Sequence, residues 1–289
     1  MSRGLGDVYK RQEKITESAA FFNVADTLEC GQIFRYERRG DKFLVHSGDK
    51  SCLAYNEGGR AVVLVEEGDG DYFYRFFDLA ADYGACYRAA KAEGGVLADA
   101  AERGRGIRIL RQDAEETLFS FIVSQNNHIP RIRKILFRLC EDAGGRHEFA
   151  GGAYGSFPKA AALAERELSY YAAAGLGYRG RYVKAAAEAL VSRGGADGLA
   201  SLPDRELKSA LLSFEGVGPK VADCVALFGF HRFGSFPVDT WIYKLYKEDY
   251  GGAETDRSKV SDFFSRRFGQ NAGIFQQYLF HHKRTAGKN

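Results

Sequence analysis

Hydrophobic and polar positions alternate in short runs between residues 21 and 67, and turn residues separate the runs. The runs are residues 33–36, 42–46, 51–55 and 61–65, and the turns are Gly40-Asp41, Gly48-Asp49 and Gly58-Gly59. Alternation with a period of two, bounded by glycine-containing turns, is typical of strands joined as hairpins. The pattern therefore predicts an antiparallel β meander.

The spacing of apolar residues changes to that of helices from about Tyr72 onwards. The predicted helices after Arg111 are residues 114–124, 129–140, 159–164, 165–174, 182–192 and 204–214. These patterns predict an α+β fold: a small antiparallel β-rich N-terminal domain at residues 13–112, then an all-α domain at residues 113–289. Residues 1–12 do not share the patterning, and we interpret them as a non-native scar.

The segment 211–230 has the pattern of two helices joined by a tight hairpin. A helix is expected to end near Phe214, Gly216-Val217-Gly218 forms the turn, and Pro219 occupies a position where a helix can begin. Glycines allow the backbone to bend sharply. Free amide groups at the start of the second helix favour a phosphate oxygen.

Lys220 lies in the first turn of that second helix, and Asp239 follows in a Pro-Val-Asp sequence. A lysine so placed can be a nucleophile that forms a Schiff base, or it can simply contact phosphate. Asp239 can cap the helix that begins at Thr240, and it can also face the lysine across a cleft. The spacing alone leaves both alternatives open for each residue.

Charge and cysteine usage narrow the classes of protein. The net charge is +3, and basic residues cluster at 103–111, 131–138, 179–184 and 266–284, where they are candidate phosphate contacts. Five widely spaced cysteines lack the pairing of a zinc site or an iron–sulfur cluster. No apolar run is long enough for a membrane span, and no signal peptide or nucleotide-cofactor motif is present.

With Gly216-Val-Gly-Pro-Lys220 followed by Pro237-Val-Asp239, the chain resembles the helix–hairpin–helix Gly/Pro–Asp superfamily of DNA glycosylases. It is most similar to 8-oxoguanine DNA glycosylase/AP lyases. The stretches that carry the finer match are Cys30-Gly-Gln32 with Phe34-Arg35, Ser124-Gln-Asn-Asn127, Gly175-Leu-Gly-Tyr-Arg179, Lys220-Val-Ala-Asp-Cys224, and Phe268-Gly269 through Gln276 to Phe280. The resemblance implies an N-terminal domain of TBP-like fold and a helix–hairpin–helix glycosylase domain.

The resemblance implies a mechanism and a lesion pocket. Lys220 would attack the glycosidic carbon of a flipped nucleotide, and Asp239 would stabilise the positive charge that develops on the sugar. The carbonyl of Gly31 would accept a hydrogen bond from N7–H, a donor that 8-oxoguanine has and guanine lacks. Cys224 and Phe280 would sandwich the base, and Gln276 would contact its Watson–Crick edge.

The resemblance also implies contacts with the rest of the duplex. Residues assigned to DNA or to the base opposite the lesion are Asn126, Asn127, Arg131, Tyr178, Arg179, Gly216 and Gly218. Asn126 would fill the gap left by the flipped base, Tyr178 would wedge beside it, and Arg131 and Arg179 would bond an opposing cytosine. A monovalent cation, Na⁺ or K⁺, could bind the main-chain oxygens of Leu212, Phe214 and Val217. No cofactor is otherwise expected. The expected partner is lesion-containing double-stranded DNA, bound by a monomer in a bacterial cytoplasm at the nucleoid, or in a nucleus.

Two alternatives stay open. The first is a helix–hairpin–helix glycosylase for another damaged base. Iron–sulfur relatives are disfavoured because the last cysteine is Cys224, and alkylpurine glycosylases are disfavoured because they lack the lysine. The second alternative is a non-catalytic DNA-binding module, which would leave the pairing of Lys220 with Asp239 unexplained.

Overall fold

The first half of the chain is built on a twisted antiparallel sheet. The computed structural model describes residues 12–286, so the interpretation of residues 1–11 as a scar falls outside the described residues. The strands are β1 (Gln12–Ser18), β2 (Tyr36–Arg39), β3 (Lys42–Ser47), β4 (Lys50–Glu57) and β5 (Arg60–Glu66). They pair in the order β1-β5-β4-β3-β2. Strands β3 to β5 agree with the predicted runs, whereas the run predicted at residues 33–36 overlaps β2 only at Tyr36.

Strand β1 was not predicted. Gln12, which the sequence analysis grouped with the scar, is its first residue and pairs with Glu66. Most residues of β1 are only half-buried or exposed, so the strand lacks the apolar alternation on which the prediction depended. It is recruited because β5 offers a long, apolar edge with free backbone groups.

The remaining structure is mostly helical, and the helices predicted between residues 114 and 214 begin and end close to the predicted positions. The helix Val24–Glu29, in the segment predicted as a β meander, was not predicted. The described helices are α1 (Val24–Glu29), α2 (Gly70–Phe76), α3 (Tyr83–Glu93), α4 (Gly95–Arg103), α5 (Ala114–Ser124), α6 (Ile129–Ala143), α7 (Ala160–Ala164), α8 (Leu168–Ala173), α9 (Arg179–Ser192), α10 (Asp197–Ala200), α11 (Asp204–Leu212), α12 (Pro219–Phe228), α13 (Thr240–Glu248), α14 (Arg257–Phe268) and α15 (Ala272–Ala286). Side-chain caps fix several starts. The carboxylate of Asp113, for example, accepts the amide of Glu116 at 2.8 Å where α5 begins.

A two-stranded hairpin interrupts the helical part, which the sequence analysis expected to be all-α. Its strands are β6 (Arg146–Phe149) and β7 (Gly152–Gly155). Both are short and mostly polar, so no alternation marked them. The hairpin packs on the sheet, where the Ser51 hydroxyl lies 2.8 Å from Nε2 of His147. The guanidinium of Arg35 donates to the carbonyl of Gly155 at 2.9 Å.

Two clusters of buried apolar side chains hold these elements together. One lies between the sheet and α2 and contains Val63, Phe73 and Phe77. The other is the helical core, and it also takes in α3, α4 and Cys30 from the N-terminal half. Helix α15 packs on α4 and inserts Tyr278 into this core. The C-terminal half of α15 is thereby brought against the turn at Gly31, and the two together form one side of a cavity.

The basic clusters are not simply solvent-exposed faces. Arg108 is buried, and its guanidinium donates to the carbonyls of Phe77 at 2.8 Å and Ala81 at 3.2 Å. Lys283 is paired with Glu248 and Asp249. These two residues are structural in this arrangement, contrary to the expectation that their clusters contact phosphate. Within residues 12–286 there is no helix with both the length and the apolar character needed to cross a bilayer.

Candidate active site

A cavity opens between α12, α15 and the turn at Gly31. It is lined by Gly31, Phe121, Lys220, Cys224, Phe228, Pro237, Asp239, Gln276, Gln277 and Phe280, and it holds about 320 Å³ of space that opens to solvent. The structure thus brings together the predicted catalytic pair and the predicted pocket residues, although most of the chain separates Gly31 from Phe280.

The hairpin that precedes Lys220 is tightly packed on one side and open on the other. Gly216 has a φ of +79°, and a Cβ there would lie 2.3 Å from the ring of Tyr182. Gly218 has no neighbour within 4 Å of a Cβ position. No side chain caps the start of α12, so its first amides remain available to an anion approaching past Gly218.

Lys220 points into the cavity from the first turn of α12. Its ammonium nitrogen lies 4.9 Å from the centroid of the Phe121 ring. Cys224 lies one turn further along α12 and is buried. Burial raises the pKa of the Cys224 thiol to about 11, against the opposing effect of the Lys220 charge, so the thiol is neutral near pH 7. Cys224 therefore presents a small apolar wall and not a thiolate.

Asp239 performs two tasks at once. Its Oδ1 accepts the amide of Ile242 at 2.9 Å, which makes it the N-cap of α13, and the same carboxylate lines the cavity with Lys220. Burial raises the pKa of Asp239 above its ordinary value of 3.8, while the Ile242 amide and the Lys220 charge oppose that rise. The two alternatives left open by the sequence, cap and cleft-facing carboxylate, are both true of this residue.

Gly31 and Phe280 meet at the mouth of the cavity. Gly31 has a φ of +90°, and a Cβ built on it would lie 3.5 Å from the Phe280 ring and 3.3 Å from the Arg284 guanidinium. The left-handed conformation and the close approach of the ring both favour glycine here. The backbone of Gly31 is thus held directly beside one face of the space that a base would occupy.

The side-chain amides of Gln276 and Gln277 form the floor on the α15 side. Gln276 Nε2 donates to the carbonyl of Pro237 at 3.1 Å, and Gln277 Nε2 donates to Gln276 Oε1 at 2.9 Å. Both glutamines are buried. Gln277, which the sequence analysis did not single out, thus holds the Gln276 side chain, and the contact of Gln276 with the base stays a prediction.

The residues predicted to contact the opposite strand lie on two facing loops. Asn126 Nδ2 lies 3.4 Å from the hydroxyl of Tyr178, and the Arg131 guanidinium donates to the carbonyl of Gly175 at 3.0 Å. Asn126 has a φ of +45°, a left-handed conformation that asparagine tolerates better than most residues. Tyr178 is 52% exposed, which suits a ring that contacts a partner molecule.

Arg179 and Asn127 have local partners. Arg179 is buried, and it donates to the carbonyls of Gln125 at 2.6 Å and Asn126 at 2.8 Å. Asn127 donates to the carbonyl of Val123 at 3.1 Å and accepts the amide of His128. In this geometry Arg179 braces the Asn126 turn, and Asn127 closes the end of α5. The direct contacts of Arg179 and Asn127 with DNA stay predictions, and to make them each side chain would have to give up hydrogen bonds to its present partners.

The oxygens proposed for a monovalent cation lie around the hairpin. The carbonyl of Phe214 accepts the amide of Val217 at 3.0 Å, which leaves it a second lone pair. Leu212 ends α11, where carbonyls lack helical donors. The donor set is chemically suitable for Na⁺ or K⁺, and the cation itself remains a proposal.

Some lining residues had no distinguishing signal in the sequence. Phe121 and Phe228 stack with their centroids 5.6 Å apart and form the rear wall. The helical apolar stripe predicted that Phe121 would be buried, but nothing separated it from ordinary core residues. The only sequence signal for Gln277 is that it directly follows Gln276, which is a second side-chain amide next to a predicted pocket residue.

Comparison with known proteins agrees with this geometry. Residues 14–118 match the family model described as 8-oxoguanine DNA glycosylase, N-terminal domain. Residues 119–270 match the model described as HhH-GPD superfamily base excision DNA repair protein. The chain belongs to the 8-oxoguanine DNA glycosylase family of the HhH-GPD superfamily.

Solved members of the 8-oxoguanine glycosylase family superpose over nearly the whole chain. One is the 8-oxoguanine glycosylase/lyase of Clostridium acetobutylicum in complex with DNA that has cytosine opposite 8-oxoguanine. It has a TM-score of 0.88 and 31% identity, covering 97% of this chain and 99% of that chain. A second is MBOgg1 in complex with a low-affinity DNA ligand, with a TM-score of 0.89, 35% identity, and 95% and 96% coverage.

Curated members of the family match over a shorter region. N-glycosylase/DNA lyase OGG1 of Arabidopsis thaliana is 34% identical over 188 residues, which are 61% of this chain and 52% of that protein. The aligned part thus spans about half the length of that relative. An Archaeoglobus fulgidus 3-methyladenine DNA glycosylase, at 17% identity and a TM-score of 0.73, shares the fold alone.

Proposed function

We propose that this chain is a bifunctional DNA glycosylase and AP lyase that excises 8-oxoguanine opposite cytosine in duplex DNA. The observation that carries the proposal is one cavity in which Lys220 and Asp239 meet Gly31, Cys224, Gln276 and Phe280. The Arabidopsis relative is named for the same two activities, N-glycosylase and DNA lyase.

The cavity requires the lesion to leave the helix, because a stacked base cannot reach a lysine that lines a cavity in the protein. Asn126 and Tyr178 lie at the edge where the vacated position would be, and the open side of the hairpin at Gly218 can receive a backbone phosphate. The cation proposed near Leu212, Phe214 and Val217 would add positive charge next to that phosphate. Because one chain supplies every residue of the cavity, a monomer suffices.

The chemistry would proceed in two stages. The unprotonated amine of Lys220 attacks C1′ of the flipped nucleotide, the C1′–N9 bond breaks, and the base leaves with that electron pair and a proton. Opening of the sugar ring gives an imine between C1′ and Nζ. Loss of a proton from C2′ then expels the 3′ phosphate by β-elimination, and water hydrolyses the imine to free the lysine.

Asp239 would act on the sugar. A carboxylate held rigidly by a helix cap, with little water around it, stabilises a positive charge that develops at C1′ more strongly than a solvated one would. Because the Ile242 amide fixes its orientation, no reorganisation is needed when the bond breaks.

The carbonyl of Gly31 supports discrimination between the lesion and guanine. In 8-oxoguanine N7 carries a hydrogen that this oxygen can accept, whereas guanine would present a lone pair to it. Leaving a buried acceptor unpaired costs roughly 1–3 kcal/mol. The Gly31 carbonyl alone therefore favours 8-oxoguanine over guanine by about tenfold or more. Any further selectivity must come from steps that precede bond cleavage.

Trapping with borohydride tests the proposal. An end-labelled duplex with 8-oxoguanine opposite cytosine is incubated with protein and sodium borohydride, with undamaged duplex alongside. Lys220→Gln is the test variant, and Lys159→Gln, at an exposed lysine outside the cavity, is the matched control. We expect an adduct with the wild type and Lys159→Gln on the lesion duplex only.

Each other outcome has a definite meaning. No adduct with intact DNA binding would contradict the proposed substrate or support a non-catalytic binding module. An adduct that survives Lys220→Gln would place the nucleophile elsewhere.

A further inference from the structure

Gln277 is a buried polar side chain of the cavity for which the proposed chemistry has no use. It is 4% exposed, and it lines the cavity next to Gln276 on α15. Its Oε1 has no hydrogen-bond partner among residues 12–286. Buried polar atoms in folded proteins nearly always have a partner, so an unpartnered oxygen on a residue that lines a binding cavity points to a ligand.

The neighbouring carbonyl of Pro237 fixes the orientation of both side-chain amides. A carbonyl can only accept, so Gln276 must present Nε2 to it, as observed at 3.1 Å. Gln276 Oε1 then needs a donor, and Gln277 Nε2 supplies it at 2.9 Å. Rotating either amide by half a turn would set two oxygens or two NH₂ groups against each other. The chain from Pro237 to Gln277 thus leaves Gln277 Oε1 as an acceptor.

The donors of the proposed base match the acceptors of the cavity. 8-Oxoguanine has three donor groups, N7–H, N1–H and the exocyclic 2-amino group. The Gly31 carbonyl takes the first in the proposed function. Gln276 Oε1 keeps one lone pair after accepting from Gln277, which can serve N1–H. One donor, the 2-amino group, and one acceptor, Gln277 Oε1, remain.

We propose that Gln277 is a specificity-determining residue whose side-chain oxygen accepts a hydrogen bond from the 2-amino group of the excised base. This inference rests on the proposed function and adds a second element of recognition to it. Gly31 distinguishes oxidised from normal purines, and Gln277 distinguishes guanine-type bases from those without a 2-amino group. Lesions such as 8-oxoadenine are consequently excised poorly, because they leave Gln277 Oε1 unpaired.

The test compares two lesions that differ only in the 2-amino group. Single-turnover excision is measured on matched duplexes that contain 8-oxoguanine or 8-oxohypoxanthine, both opposite cytosine. The variants are Gln277→Met, which keeps length and volume without the amide, and Gln277→Ala as a second truncation. Gln270→Met, at an exposed glutamine outside the cavity, is the matched control, and melting temperatures are recorded for all.

We expect the wild type and Gln270→Met to excise 8-oxoguanine about tenfold faster than 8-oxohypoxanthine, since one hydrogen bond to a buried group is lost. In Gln277→Met and Gln277→Ala that ratio falls to about one, chiefly through slower removal of 8-oxoguanine.

Two results would overturn the inference while the proposed function stands. A Gln277 variant that slows both lesions equally would show that the residue only holds Gln276 in place, and an unchanged ratio would show that the oxygen contacts nothing on the base. If the wild type excises neither lesion, the proposed function fails, and this inference fails with it.

Discussion

The ammonium nitrogen of Lys220 lies 4.9 Å from the centroid of the Phe121 ring, and both residues line the same cavity. Phe121 is itself fixed, because it stacks on Phe228 and makes an edge contact with Phe34. An aromatic face attracts a cation, so the ring determines where the lysine rests before reaction. The proposed nucleophile and the surface that positions it come from helices α5 and α12, which are far apart in the sequence.

Phe121→Leu is therefore expected to slow adduct formation about tenfold in single-turnover borohydride trapping, because the amine loses its fixed approach to C1′. Phe119→Leu is the matched control, since Phe119 is equally buried on α5 but stacks on Phe157 outside the cavity. Both variants should lose similar stability. If they slow trapping equally, the effect belongs to the packing of α5 and not to the position of Lys220.

Substitutions at Asp239 should separate its two tasks. Asparagine caps helices as well as aspartate does, whereas alanine at a cap costs about 1 kcal/mol of stability. Asp239→Asn should thus keep the fold and lose about 100-fold in excision rate, a typical loss when a preorganised electrostatic group is removed. Asp239→Ala should lose both, as measured by thermal melting and single-turnover kinetics. Full activity in Asp239→Asn would show that the residue is only a cap.

The raised pKa of Asp239 makes a further prediction about pH. Burial favours the neutral form of the Asp239 carboxyl in the folded protein. Ionisation of Asp239 therefore lowers the free energy of unfolding as the pH rises above 3.8, and the loss is complete once the pH exceeds the raised pKa. Asp239→Asn should therefore melt at a temperature equal to or above that of the wild type at pH 7.5, and the difference should shrink as the pH falls towards 4. The wild-type excision rate should decline on the acid side at a pH above that of an ordinary aspartate, and the variant should lack this decline. A larger stability advantage at pH 4 than at pH 7.5 would contradict the assignment.

Local patterns in the sequence were sufficient for much of the fold. The alternation in β3 to β5 and the apolar stripes of α5 and α6 predicted those elements nearly to the residue, because each has one buried face and a clear turn or cap. Pro219 and Asp239 marked helix starts, because proline is favoured at the first position of a helix and aspartate at its N-cap. Strand β1 and the β6–β7 hairpin were not predicted, because pairing and packing with other parts of the chain, and not their own apolar spacing, hold them in place.

The candidate site was predictable where a motif gave a residue a distinctive setting. Lys220 after its glycine hairpin and Asp239 after its proline are such cases, and the resemblance supplied the rest of the pocket. Phe121 and Gln277 were not predictable, since a phenylalanine in an apolar stripe and a glutamine in a helix have many ordinary explanations. For Arg179 the motif predicted a contact with DNA. The motif did not predict its hydrogen bond to the carbonyl of Asn126, because that bond depends on how the two loops pack in three dimensions.

Gly31→Ala should impair excision beyond the cost of backbone strain. The φ of +90° penalises any side chain by about 1–2 kcal/mol, and the new methyl group would also occupy space beside the Phe280 ring, 3.5 Å away, and the Arg284 guanidinium, 3.3 Å away. Gly40→Ala is the matched control, because Gly40 has a φ of +66° but nothing within 4 Å of a Cβ position. Both variants should melt at lower temperature, whereas only Gly31→Ala should lose excision of 8-oxoguanine at a temperature where both are folded. Equal excision of 8-oxoguanine by Gly31→Ala and Gly40→Ala would show that Gly31 does not contact the excised base.

Arg131 should determine which base is tolerated opposite the lesion. It is exposed on α6, and its single described hydrogen bond, to the carbonyl of Gly175, leaves further guanidinium donors free to reach a base. Loss of a planar arginine contact with a base edge costs about 1–3 kcal/mol of discrimination, so Arg131→Ala should reduce the preference for cytosine over adenine about tenfold or more. Excision is measured on 8-oxoguanine paired with each base, beside Arg138→Ala, whose exposed arginine on the same helix pairs with Asp142. If the wild type excises 8-oxoguanine equally well opposite cytosine and adenine, Arg131 does not confer selectivity.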